Sequence, residues 1–228
     1  MKFKCLFILP LLAINFNAFS QSFEKGKIVI EGGAGIAVYN TFFSHTYKLP
    51  NGKDTTESSE DLTAASVFPL FVEYGITDRI GLGGGLRYNW YIRDSAQKNG
   101  TVVAFDIAVR PTFHLVKTKH IDLFAAGTLG YSHFAWKWSD TYVDYGSLPP
   151  ITKTETSTLI GSGVQYGLSL ESRFYFTKSI GIYLSYSFNG YNYPKLVHTD
   201  IPFTDLYPDY KLKLNGSTYG IGIMVKIN

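Results

Sequence analysis

Ser132 and His133 stand side by side in this chain, and a hydroxyl beside an imidazole suggests a nucleophile activated by a general base. His198 and Asp200 add a second imidazole and a carboxylate. The adjacency argues against the pairing: in a strand, neighbouring side chains point to opposite faces, so Ser132 and His133 cannot readily share a proton. The five histidines, His45, His114, His120, His133 and His198, lack the spacing of a zinc site. Asp140 with Asp144, or Asp205 with Asp209, offers a weak Ca²⁺ pair, but no compact calcium loop surrounds either, so they read as solvated loop charge. Cys5 is the single cysteine and lies in the first few residues, which leaves the rest of the chain without a disulfide, thiolate or cysteine metal site. No catalytic, cofactor or metal residue is predicted.

The informative charges are elsewhere. Glu31, Glu73, Arg87, Asp106, Arg110, Glu171, Arg173 and Lys226 are four acids and four bases, each inside an alternating segment and on its small, polar side. Such a set can line an ion path or supply a carboxylate pair. It can also plug a narrow interior, where charge taken from water persists only when paired and hydrogen-bonded. The balance of signs favours the plug. Counted from the nearest tight turns, Glu73, Arg110, Glu171 and Arg173 lie at similar shallow depth. They are predicted to form one charged layer, with Arg110 and Arg173 pairing Glu171 and Glu73.

Those residues must be positioned by strands. In IGLGGGLRYNWYI, residues 80–92, Ile80, Leu82, Leu86, Tyr88, Trp90 and Ile92 share one side, and Gly81, Gly83, Gly85, Arg87, Asn89 and Tyr91 share the other. The same alternation predicts eight strands, over residues 27–39, 65–76, 80–92, 102–115, 121–138, 158–176, 180–193 and 211–227. Each is long enough to cross a bilayer as a tilted strand, which takes about 9–11 residues. Short links at 77–79, 116–120 and 177–179 alternate with long polar loops at 40–64, 93–101, 139–157 and 194–210. The apolar rows match across the short links if Ile76 faces Ile80, Leu115 faces Ile121 and Phe176 faces Ile180.

Alternation alone does not say which face is outside, and a soluble lipocalin-like barrel alternates too. Side-chain size decides. The polar face is small, with Gly33, Gly35, Gly81, Gly83, Gly85, Gly167, Gly181, Gly220 and Gly222, and an eight-stranded barrel leaves just enough interior for side chains to fill. The opposite face carries Phe, Leu, Ile, Val and Tyr in bulk, which lipid accepts. Aromatics near strand ends suggest girdles at the two membrane interfaces: Tyr39, Trp90, Trp136, Trp138 and Tyr219 toward the long loops, and Tyr74 and Phe176 toward the short turns. Carbohydrate stacking is the rival reading of Trp136 and Trp138. Past Tyr131 the apolar set passes to Phe134, Trp136 and Trp138, which predicts a β-bulge or emergence from the membrane.

Composition agrees: 16% of residues are aromatic, with 17 Tyr, 17 Phe and 22 Gly. Residues 1–20 read as a signal peptide: Lys2 and Lys4, a short apolar core, then Ala18-Phe19-Ser20 at the cleavage site. The apolar run is too short to anchor with ease. The barrel domain is then residues 21–228, and the net charge of +3 falls to about +1 once the leader leaves, which suggests no nucleic-acid partner.

The segment FPLFVEYGITDRIGLGGGLRYNWY, residues 68–91, with a weaker echo in SRFYFTKSIGIYLSYSF, residues 172–188, resembles the small outer-membrane β-barrel proteins of OmpA/OmpX type. The chain departs from that pattern at its end, Lys226-Ile227-Asn228, where many members carry an aromatic residue. The resemblance implies an all-β, eight-stranded antiparallel up-and-down transmembrane β-barrel with short periplasmic turns and long extracellular loops. It implies a monomer in the outer membrane of a Gram-negative cell envelope, contacting lipid and lipopolysaccharide, delivered by the outer-membrane assembly machinery, with no cofactor. The expected role is non-enzymatic, structural or surface-interacting through the loops, the ligand being unspecified. A narrow porin-like channel is the alternative, and a lipid A-modifying enzyme a further one.

Overall fold

The computed structural model describes residues 23–48, 54–92, 100–144, 146, 149, 151–199 and 209–227; the predicted leader lies outside them, as do Asp200 and Asp205. Eight antiparallel strands follow one another around a closed ring: β1 (Ile28–Lys48), β2 (Asp54–Gly75), β3 (Ile80–Ile92), β4 (Gly100–Lys117), β5 (Ile121–Asp144), β6 (Ile151–Tyr175), β7 (Ile180–His198) and β8 (Asp209–Ile227). Each strand pairs with its chain neighbour, and β1 pairs with β8 to close the barrel, Ile28 opposite Ile227 and Thr46 opposite Asp209.

The short turns have a common local cause. Thr77 Oγ1 accepts from the amides of Arg79 and Ile80 at 3.1 and 2.9 Å, and Thr177 Oγ1 accepts from those of Ser179 and Ile180 at 3.2 and 2.9 Å. Thr118 Oγ1 receives the His120 and Ile121 amides at 3.4 and 3.0 Å. A hydroxyl that mimics a backbone acceptor holds each chain reversal and so fixes the register behind it. The first and third turns keep the matched apolar rows, with Gly75 opposite Gly81 and Tyr175 opposite Gly181. The second does not. Leu115 falls in a bulge between His114 and Val116, so Lys117 faces Asp122 and Leu115 does not face Ile121. Leu115 and Val116 both point outward as a result. The bulge expected in β5 is absent: its pairing with β6 runs unbroken from Ile121–Phe174 to Asp144–Ile151.

The wall rises higher than alternation predicted. Most of the expected loops at 40–64 and 139–157 are two-stranded ribbons, paired out to Lys48–Asp54 and Asp144–Ile151. Hydroxyl pairs stitch them, Thr46 to Thr56 at 2.9 Å, Ser139 to Thr156 at 3.0 Å and Thr141 to Thr154 at 3.1 Å. The Asp144 carboxylate sits 2.5 Å from Lys153 Nζ and accepts from the Gly146 amide, which together hold it below the usual carboxylate range. Threonine suits a strand on either face, so these ribbons show no period of two.

Below the ribbons the outer surface is a belt of large apolar side chains. Leu168 is 72% exposed, Tyr219 64%, Ile36 63% and Ile223 62%, and every strand contributes. So broad an apolar surface is stable against hydrocarbon, not water. The lumen is filled, and its glycines make the space. A Cβ on inward-facing Gly85 would strike the Phe71 ring, whereas one on outward-facing Gly84 meets nothing nearer than the Ala108 carbonyl oxygen at 3.3 Å. Gly85→Leu is therefore expected to lower stability by roughly 1–3 kcal/mol through overpacking. Gly84→Leu should cost less, because its Cβ needs the Ala108 carbonyl oxygen to give by only a few tenths of an ångström. Urea refolding midpoints compare the two, and equal losses would contradict the inward assignment of Gly85.

Candidate functional site

The interior is built in layers, each from side chains of one parity on several strands. At the bottom, Phe23 precedes β1 and tucks beneath the barrel, fully buried, with its ring stacked 3.7 Å from that of His114. Lys117 Nζ donates to the Phe23 carbonyl at 3.1 Å, and the Gly26 amide donates to the Gly75 carbonyl at 2.8 Å, which fixes the tucked segment. Val29, Tyr175, Tyr183 and Met224 complete this floor with Phe23. Lys226 belongs to the floor, its ammonium 5.3 Å from the centre of the Tyr175 ring.

Above it lies the charged layer. Glu31 on β1 sits between both arginines, 2.7 Å from Arg110 Nη1 and 2.6 Å from Arg173 Nε. Arg110 reaches Glu171 at 2.5 Å, and Arg173 binds Glu73 and lies 3.4 Å from Asp122. All six of these side chains are buried. His114 bridges two of the acids, 2.7 Å from Asp122 and 3.1 Å from Glu73, and Thr112 donates to Glu73. Arg110 Nη2 meets Glu171 as an ion pair outside hydrogen-bond angles, and Arg110 Nε has no acceptor among the described residues. Aromatic faces offset part of that cost. Phe71 lies 4.4 Å from the Arg110 guanidinium, and Phe124 lies 4.1 Å from that of Arg173.

The eight charges read from the sequence thus divide. Glu31, Glu73, Arg110, Glu171 and Arg173 meet in one layer. Arg87 and Asp106 form a second, higher layer with neutral partners. Asp106 accepts from Asn89 at 2.9 Å, Tyr191 at 3.0 Å and Ser132 at 2.5 Å, while Arg87 donates to Asn189 at 2.9 Å. Sequence reasoning missed His114 and Asp122, although the signal was present: each sits between two outward apolar residues, Phe113 and Leu115, Ile121 and Leu123.

Among the described residues Ser132 and His133 form no nucleophile–base pair. Ser132 shares its hydroxyl with Asp106 and with Tyr193 at 2.7 Å, whereas His133 faces outward, 3.2 Å from Ser162 Oγ. His198 sits among aromatic rings, 5.6 Å from Trp138 and 5.4 Å from Tyr210.

The upper lumen is aromatic, and it corrects three of the interface assignments. Tyr39 is fully buried inside, because it shares parity with Glu31. Trp136 and Trp138 also turn inward and pack against the cluster of Tyr39, Tyr91, Phe134, Tyr191 and Tyr193, since β5 keeps its phase to the end. Tyr74, Trp90, Phe176 and Tyr219 do face outward. Above this cluster the mouth opens into a cavity of about 740 Å³.

The architecture has a solved counterpart. OprG, an outer membrane protein of Pseudomonas aeruginosa, superposes with a TM-score of 0.51 over 91% of this chain and 98% of that one, at 10% identity. The fold is that of a small outer-membrane β-barrel. Ail, the attachment invasion locus protein of Yersinia pestis, aligns over 89% of this chain and 99% of its own at 15% identity, with a TM-score of 0.41. The outer membrane protease OmpT from Escherichia coli aligns over 93% and 100% at 9% identity, with a TM-score of 0.45. The sequence matches no protein-family profile and no curated protein. In an outer-membrane barrel the apolar belt is the lipid-contacting surface, and the ribbons above it stand in water.

Proposed function

We propose that the protein is a non-enzymatic, non-conducting barrel of the bacterial outer membrane, acting through the ribbons and mouth it raises above the outer leaflet. The observation that carries this reading is the charged layer of Glu31, Glu73, Arg110, Asp122, Glu171 and Arg173, which joins β1, β2, β4, β5 and β6 across the lumen. An ion would have to displace paired, desolvated charge there, and then pass the floor of Phe23, Val29, Tyr175, Tyr183 and Met224. Ser132, with a carboxylate for its partner and no imidazole, supports a lumen built for packing over one built for acyl transfer. The lipid belt would contact outer-membrane lipid and lipopolysaccharide, the assembly machinery would deliver a monomer, and the ribbons would meet an extracellular partner.

Purified, refolded protein in planar bilayers should give no steady current, and its expression should leave the mass of lipid A unchanged. Stable unitary conductance would replace this reading with the narrow channel. A new lipid A mass that disappears with Ser132→Ala would replace it with an enzyme.

A further inference from the structure

Three lysines crowd one sector of the outer wall, just above the apolar belt. Tyrosine hydroxyls mark the upper limit of the belt there. Tyr166 on β6 donates to Asn215 Oδ1 at 3.1 Å, and the Tyr186 hydroxyl on β7 lies 3.3 Å from Ser217 Oγ. Outward tyrosines of a membrane barrel hold their hydroxyls at headgroup level. Lys213 and Lys211 are the next two outward positions of β8 beyond Asn215, and both are exposed. Lys195 joins them through a bulge in β7. Tyr193 faces Leu212 and Leu196 faces Tyr210, so Pro194 and Lys195 together oppose the single residue Lys211. Strict alternation from Tyr193 would send Lys195 into the lumen. The bulge exposes it beside Pro194 and returns Leu196 to the interior.

Such crowding is unfavourable by itself. Like charges set opposite each other on paired strands repel, and Lys213 adds a third charge on the same face. None of the three has an ion pair or side-chain hydrogen bond among the described residues. Asp209, one outward position above Lys211 on β8, has a partner of its own. Glu60 lies two strands from Lys213, with Phe42 between them in the register. By alternation, the outward positions of β6 and β7 carry no acid among the described residues. We propose that Lys195, Lys211 and Lys213 bind the phosphate groups of a lipid A-type saccharolipid in the outer leaflet, an assignment that rests on the outer-membrane reading above. A phosphate monoester carries about −1.5 to −2 charge at neutral pH, which suits three crowded cations better than the single charge of a phospholipid diester. Lysine stems lie along apolar wall while their ammonium groups meet the phosphates.

The refolded barrel in phosphatidylcholine nanodiscs with a small fraction of lipid A tests this, bound lipid being counted by native mass spectrometry. Diphosphoryl lipid A should be retained several-fold more than the same lipid stripped of its phosphates, and more than phosphatidylglycerol. Added salt should weaken the preference. Lys195→Gln, Lys211→Gln and Lys213→Gln should each lower retention by about fivefold, the worth of one lysine at a charged membrane surface. The triple variant should erase the preference. All three side chains are exposed, so the variants should fold, which mobility on unheated gels checks. Lys178→Gln, exposed in the turn at the opposite end, should change nothing. Equal retention of lipid A with and without phosphates, or a triple variant that keeps the preference, overturns the inference. Phosphatidylglycerol held as tightly as lipid A also overturns it, because any anionic lipid would then suffice. A chain that never inserts into bilayers would instead overturn the outer-membrane reading on which the inference rests.

Discussion

Arg173→Ala is expected to destabilise the barrel by about 3–5 kcal/mol, as removing one partner of a buried pair usually does. Arg173 is fully buried and holds Glu31 at 2.6 Å, Glu73, and Asp122 at 3.4 Å, so its loss leaves three carboxylates facing one another in a desolvated layer. Arg79→Ala, an exposed arginine in the turn between β2 and β3, should change little by comparison, because water already solvates its charge. Folded and unfolded fractions on unheated gels across a urea series in lipid vesicles give both midpoints. The surviving Arg173→Ala barrel should still block ions, since Phe124, Tyr175 and Phe23 keep the lower lumen full. A fully stable Arg173→Ala protein with steady currents would overturn the plug.

Ile107→Arg is the second large effect. Ile107 is 55% exposed on β4, opposite Leu86 and Tyr131 and midway along the apolar belt. An arginine there must be carried into hydrocarbon, at a cost of about 2–4 kcal/mol near the midplane. Leu184→Arg on β7 should cost a similar amount. Thr152→Arg, exposed on the upper ribbon of β6, should cost almost nothing, because that ribbon stands in water. Equal midpoints for Ile107→Arg and Thr152→Arg in the same refolding titration would contradict the position of the membrane.

The contrast between belt and ribbon also explains what the chain reveals on inspection. Over residues 80–92 the two faces meet media as different as lipid and a packed lumen, so side-chain size and polarity alternate and the strand can be seen directly. On the ribbons both faces meet water or each other. Thr46, Thr56, Thr141 and Thr154 satisfy either condition, so no alternation marks the pairing that extends the wall. Tyr39 was within reach, because an even count from Glu31 places it inside, but an aromatic residue near a strand end also suits an interface. The same ambiguity hid Trp136 and Trp138. Asp122 and His114 were readable by parity and masked by closeness to a turn, where a charged or polar residue looks solvated. Which acid meets which arginine depends on the stagger of strands across the lumen. Glu31 reaches Arg110 and Arg173 only because the ring closes at a particular shear, and no local pattern records that.

That last contact bears on the order in which the barrel forms. Seven of its eight seams join strands adjacent in the chain, three of them across turns pinned by a threonine, and such local pairings form early at little entropic cost. The eighth seam, β1 with β8, must bring the two ends of the chain together. Glu31 lies on that seam, opposite Met224, and its carboxylate serves Arg110 and Arg173 from far along the sequence. Before the seam shuts, the two arginines lack their shared acid, and an open sheet keeps charge facing whatever medium surrounds it. Zipping the final seam and neutralising the interior are then a single event, so a chain that closes in a shifted register is left holding unpaired charge and is rejected by its own electrostatics.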